Sequence, residues 1–138
     1  MHDVYEIGLR TSISFEEMAK FLAEYLDLPL ENVVTDSECW SEQWEGKDRV
    51  GVGLLESPAG LKTNISGFIY RPLDDAALEK MAKNVAFYFN SMAVIGDYRK
   101  TGEEGQGRFI CYFPDGSAWE AVDDSDGAIS DVEVLHPI

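Results

Sequence analysis

The sequence predicts an α+β fold: a mostly antiparallel sheet that closes in a C-terminal four-stranded meander, with two helices packed on one face. Three observations carry this. Two stretches place apolar residues at helical spacing. Several short β-rich runs towards the C-terminus are separated by tight-turn residues. The length of 138 residues, 45% hydrophobic with three Trp, six Tyr and seven Phe, suits a single domain over 1–138 with a proper core.

The elements follow in order. Residues 4–13 alternate loosely and are β-rich, so they read as a first strand. Ser14-Phe15-Glu16-Glu17 is a capping box: the serine hydroxyl takes an orphan amide and the glutamate reaches back. A helix follows with Phe15, Met18, Ala19, Leu22, Tyr25 and Leu26 on one face, and Pro29 ends it. Residues 28–35 read equally as a turn-rich connection or a strand. In 49–56, Val50, Val52 and Leu54 alternate with Gly51, Gly53 and Leu55, a strand whose glycines allow a bend or a close backbone approach. A turn at 57–60 leads to the returning strand 61–70. Pro72-Leu73-Asp74-Asp75 opens a second helix with an aspartate N-cap and an apolar stripe of Ala77, Leu78, Met81, Ala82, Val85, Ala86 and Phe89. Strands are expected at 92–98, 108–113, 118–122 and 128–135. A glycine-rich loop over 101–107 and turns at 114–116 and 124–127 join them.

Composition excludes several functions. Acids outnumber bases 26 to 11, a net charge of −15, where a nucleic-acid binder or an anionic membrane needs clustered Lys and Arg. The first six residues carry neither a basic nor an apolar signal region, and no apolar run reaches the roughly 18 residues of a membrane span. A cytoplasmic protein is the expectation. Cys39 and Cys111 lie 72 positions apart with no zinc-type spacing, and are expected as reduced thiols. The two histidines, His2 and His136, sit at the ends. Gly51-Val52-Gly53 lacks the Lys-Ser/Thr of a phosphate loop. Around Gly127, Asp124, Asp126, Ile129 and Glu133 match part of a calcium loop, but Val122 stands at its first ligand position, and a hairpin turn explains the same residues. No catalytic constellation assembles, so the chain is expected not to be an enzyme and to hold no metal or cofactor.

The charge is unevenly spread. Residues 1–46 carry two bases against eleven acids, residues 47–108 nine against eight, and residues 109–138 no base against seven acids. Like charges held on a rigid sheet repel each other, and a basic partner relieves that repulsion and is steered in by it. Solubility alone also explains an acidic surface. The segment Asp36-Ser37-Glu38-Cys39-Trp40-Ser41-Glu42-Gln43-Trp44-Glu45 is the second bias: two Trp, four acids and no base. Trp is a common binding hot spot, and one helical turn brings Trp40 and Trp44 to the same side. Packing is the simpler use of a large aromatic, both Trp closing over the core as a lid.

A small acidic domain with few histidines, no cofactor motif, an acid-only stretch over 109–138 and an acidic Trp segment at 36–45 is similar to the immunity proteins that neutralise bacterial polymorphic toxins, including contact-dependent growth-inhibition systems. That class spans unrelated folds. The resemblance implies a protein that covers or clamps a basic, nuclease-type toxin C-terminal domain. Trp40 and Trp44 are then the expected anchors, and Asp36, Glu38, Glu42, Glu45, Asp115, Asp123, Asp124 and Asp126 the complementary charges. Two other readings stand beside it. One is a small-ligand or peptide sensor that uses the aromatic sheet face, because Tyr5, Phe68, Tyr70, Tyr98, Phe109, Tyr112, Phe113 and Trp119 alternate too much to share one core. The other is a nucleic-acid mimic. The sequence leaves the oligomeric state open.

Overall fold

A computed structural model describes residues 2–100, 102–123 and 131–138. The elements are β1 (His2–Leu9), α1 (Phe15–Leu26), β2 (Val33–Thr35), β3 (Val50–Glu56), β4 (Thr63–Leu73), α2 (Asp75–Phe89), β5 (Ala93–Gly96), β6 (Arg108–Tyr112), β7 (Ala118–Asp123) and β8 (Val132–Pro137). Short 3-10 turns cover Leu30–Asn32, Glu38–Trp40, Glu42–Trp44 and Gly102–Gly105. The expected turn 124–127, the start of the expected last strand at 128–130, and with them Asp124 and Asp126, lie outside the described residues.

Local sequence signals set both helices. At α1 the Ser14 hydroxyl accepts from the Glu17 N–H at 3.2 Å, and the Glu17 carboxylate accepts from the Ser14 N–H at 3.0 Å. The helix stops two residues before Pro29's neighbour Leu28, with Asp27 left-handed at φ 55°. Its buried stripe is Met18, Ala19, Phe21, Leu22 and Leu26. Phe21 is an addition to the expected face, because α1 also packs sideways on α2, where Phe21 meets Tyr88 and Phe89. At α2 the Asp74 carboxylate accepts from the Ala77 N–H at 2.7 Å, and Leu78, Met81, Ala82, Val85 and Ala86 are buried.

The fold is α+β as expected: among the described residues eight strands lie in the order β2-β3-β4-β1-β5-β6-β7-β8, antiparallel except for β2 beside β3. Strands β5 to β8 form the meander. Both helices pack on one face, over Ile7, Leu9, Val50, Ile65, Ile69, Ile95 and Ile110. Each such side chain contributes about 2 kcal/mol by leaving water. A smaller apolar cluster of Met92, Val94, Cys111, Ala121 and Val132 lies under Phe109, Phe113 and Trp119.

The glycine signal of β3 has a concrete cause. A Cβ on Gly67 would stand 1.8 Å from the Gly51 carbonyl oxygen, and one on Gly51 would stand 2.7 Å from Cys39 Sγ. The β3–β4 register is the same at Val50 opposite Ile69 and at Gly53 opposite Ser66, but between them Gly51 and Val52 form no pair with β4 and pair only with β2. The buried Tyr5 hydroxyl donates to the Gly51 carbonyl at 2.8 Å and satisfies it. Burial holds that hydroxyl protonated, far above the usual tyrosine range.

Candidate functional site

The acidic Trp segment is pinned from below. The Asp36 N–H donates to the Val52 carbonyl at 3.0 Å, tying the segment to β3. Cys39 is fully buried against Gly51, and its thiol donates to the Asp36 carbonyl at 3.0 Å. With Cys39 directed inward, the next residue, Trp40, is directed outward. Its ring lies on Phe68 of β4 at a centroid distance of 4.8 Å. The Arg49 guanidinium sits 4.7 Å from the Phe68 ring centroid and 5.9 Å from that of Trp40, and its Nε donates to the Cys39 carbonyl at 3.0 Å. Trp40 is therefore held in place while 63% exposed.

This differs from the lid expectation. Trp40 covers the open face of the sheet rather than the helix-side core. Trp44 belongs to a separate 3-10 turn, is half-buried, and has a buried indole N–H with no hydrogen-bond partner among the described residues. The two rings do not share one helical turn, because Ser41 in an extended conformation divides the segment.

Beside Trp40 the sheet opens. Strand β1 pairs with β5 only at Gly8 opposite Val94 and Leu9 opposite Ala93. Beyond that point the two strands part and leave a notch of about 800 Å³. Val4, Glu6, Phe68 and Trp40 line one side and Gly96, Arg108 and Phe109 the other, with Leu78 and Tyr98 also lining it. A second hollow of about 270 Å³ shares Glu6, Ile95, Gly96 and Phe109 with the notch and extends it past Leu55 and Leu61.

The ionisable groups around the notch divide into tied and untied ones. Asp97 is buried, and both its oxygens accept from Arg99, at 2.9 and 2.8 Å. The Arg99 guanidinium holds the Asp97 carboxyl below its usual range. Arg99 also bridges to Glu120 at 2.9 Å, and Glu120 pairs with His136 at 2.9 Å, so the loop after β5 is fastened to β7 and β8. Tyr98 donates to Glu79 at 2.8 Å, which lowers the Glu79 carboxyl. Burial and that contact push the Tyr98 hydroxyl up to about 12. Glu6 accepts from Asn64 at 3.2 Å, and Asp36 is exposed at the rim. Both cysteines are free and buried; burial pushes Cys111 up to about 12 and raises Cys39, so neither offers a thiolate at neutral pH. Among the described residues no three His, Cys, Asp or Glu side chains are grouped to hold a metal ion, and no helix is long and apolar enough to cross a membrane.

Of the residues singled out in the sequence, Asp36 and Trp40 line the notch together. Glu38, Glu42 and Glu45 are exposed on the same segment. Asp123 closes β7, where its N–H donates to the Gly107 carbonyl at 2.8 Å, and Gly107 lines the far rim. Asp115 is elsewhere: it accepts from Ser117 in the β6–β7 turn, which lowers its carboxyl, and borders a different hollow with Trp119 and Val134. Sequence reasoning missed Val4, Glu6, Arg49 and Gly96. The available signal was Phe68, an aromatic out of phase with Ile65 and Ile69 in the same strand.

No protein-family model matches this chain, and comparison with curated proteins and with solved structures gives no significant match. The site thus stands on its own geometry: an exposed, stacked tryptophan in an acidic segment at the mouth of a gap in a sheet.

Proposed function

We propose that this chain is an acidic protein-binding module of the immunity type, which binds a basic, nuclease-type toxin domain in the cytoplasm and neutralises it without chemistry of its own. The observation that supports the reading is Trp40. A ring fixed by Phe68 and Arg49 loses little freedom on binding, and its exposure leaves its area available to a partner. Asp36, Glu38, Glu42 and Glu45 surround it with charge that speeds a basic partner's approach. The test is capture from lysate of the source organism at low salt, followed by assay of what is captured. The reading expects one basic protein at one-to-one, whose nuclease activity falls when the chain is added back, and loss of capture with Trp40→Ala. Many basic proteins eluting together would speak for a nucleic-acid mimic, and a captured nuclease that stays active would contradict the reading.

A second reading, a small-ligand or peptide sensor, draws support from the notch. Its volume of about 800 Å³ falls in the range of ligand sites, roughly 300–1,000 Å³. An empty capture experiment would turn attention there.

A further inference from the structure

The two edges of β1 are unlike. The Arg10 N–H donates to the Met92 carbonyl at 3.1 Å, and Gly8 stands opposite Val94, so the even-numbered residues turn their backbone groups towards β5. In this register Ile7 would fall opposite Ile95 and the next hydrogen-bonding pair would be Glu6 opposite Gly96, and neither is formed. Among the described residues, β1 from Val4 to Ile7 has no strand partner on that side. Val4 and Glu6 therefore present N–H and C=O groups into the notch, about 6.8 Å apart along the strand.

We propose that this open edge is the docking line for an extended, lysine- or arginine-bearing segment of the basic partner, which adds as a strand beside β1. The inference rests on the reading of the chain as a binder of a basic protein, and supplies the site and mode of that binding. A row of alternating backbone donors and acceptors is matched by another extended backbone. The side chains select its sequence. Residues of the incoming strand that share the open face with Val4 and Glu6 meet the Glu6 and Asp36 carboxylates and the Trp40–Phe68 stack. Those between them face Leu78 and Tyr98. Basic residues fit the first set and apolar residues the second. A second copy of this chain is the poorer occupant, because it brings another net charge of −15.

The probe is a short blocked peptide alternating lysine and valine, titrated into the isotope-labelled full chain and followed by amide chemical shifts and hydrogen exchange. Its partner probe has the same side chains with alternate backbone nitrogens methylated. Two variants accompany them. Gly96→Phe places a ring at the notch: the position of its Cβ has no atom within 4 Å and its φ is ordinary, so a side chain can start there without a clash. Trp40→Ala removes the stack and leaves the edge open. The proposal expects slowed exchange at Val4 and Glu6 with peptide, binding at least about tenfold weaker for the methylated probe, and loss of binding in Gly96→Phe. Equal binding of the two probes, full binding by Gly96→Phe, or no peptide binding at all would overturn it. A dimer of the free chain that Gly96→Phe dissociates would also overturn it, since the edge would then belong to a second copy. The two readings fail separately. If Trp40→Ala abolishes capture of the basic partner while Gly96→Phe captures it fully, the acidic-face reading survives and the strand docking falls.

Discussion

Against β4, strand β1 is paired from Val4 to Leu9; against β5 it is paired only at Gly8 and Leu9. The same strand thus faces a closed ladder on one side and a gap on the other. On the helix face of the sheet Ile7, Leu9 and Ile65 are fully buried. On the opposite face, beside the gap, Val4 is 60% exposed and Glu6 stands at a rim. The difference separates two tasks. Stability is concentrated in the helix-side core and the β1–β4 seam, and the surface proposed for docking lies where pairing was left unmade.

Substitutions on the two sides sharpen this contrast. The largest expected effect is at the sealed side: Ile65→Ala leaves a cavity and lowers stability by about 3 kcal/mol in urea unfolding, while Val4→Ala stays within about 0.5 kcal/mol. A comparable loss for both would erase the distinction. Next come the glycines. Gly67→Ala forces a methyl into the Gly51 carbonyl and costs about 2 kcal/mol or more, whereas Gly96→Ala, opening into the notch, changes stability by less than about 0.5 kcal/mol. A smaller and pH-dependent effect belongs to Asp97. Its native pKa is depressed by Arg99, so its contribution is full above the unfolded value near ~3.9 and is lost as pH falls through the lower native value. Asp97→Asn is expected to lower stability at neutral pH by about 2 kcal/mol and to flatten the loss seen on acidification below pH ~4. An unchanged acid limb in unfolding midpoints measured against pH would show that the Arg99 contact does not hold the loop.

The legible parts of this fold are local. Ser14 with Glu17, and Asp74 ahead of Ala77, mark helix starts because a cap is made by residues three apart. Pro114 and Gly116 mark the β6–β7 turn for the same reason. The central place of β1 and the parallel pairing of β2 with β3 join residues far apart in sequence, and no periodicity within either strand encodes its neighbour. Strand β1 also ends at Leu9, short of the expected residue 13, because Ile13 leaves the sheet to donate its N–H to Thr63 Oγ1. The site was half legible. The acidic Trp segment is plain in the composition, but the exposure of Trp40 depends on Cys39 taking the buried place and on Phe68 and Arg49 arriving from other parts of the chain. The notch is the absence of a pairing, which leaves no mark in any residue type.

The most direct test of the open edge is amide hydrogen exchange of β1 in the free protein. The account predicts an alternation: slow exchange at Tyr5, Ile7 and Leu9, whose N–H groups face β4, and fast exchange at Val4 and Glu6, whose N–H groups face the notch. Uniform protection along Val4 to Leu9 would mean that β1 is sealed on both edges, and would contradict it.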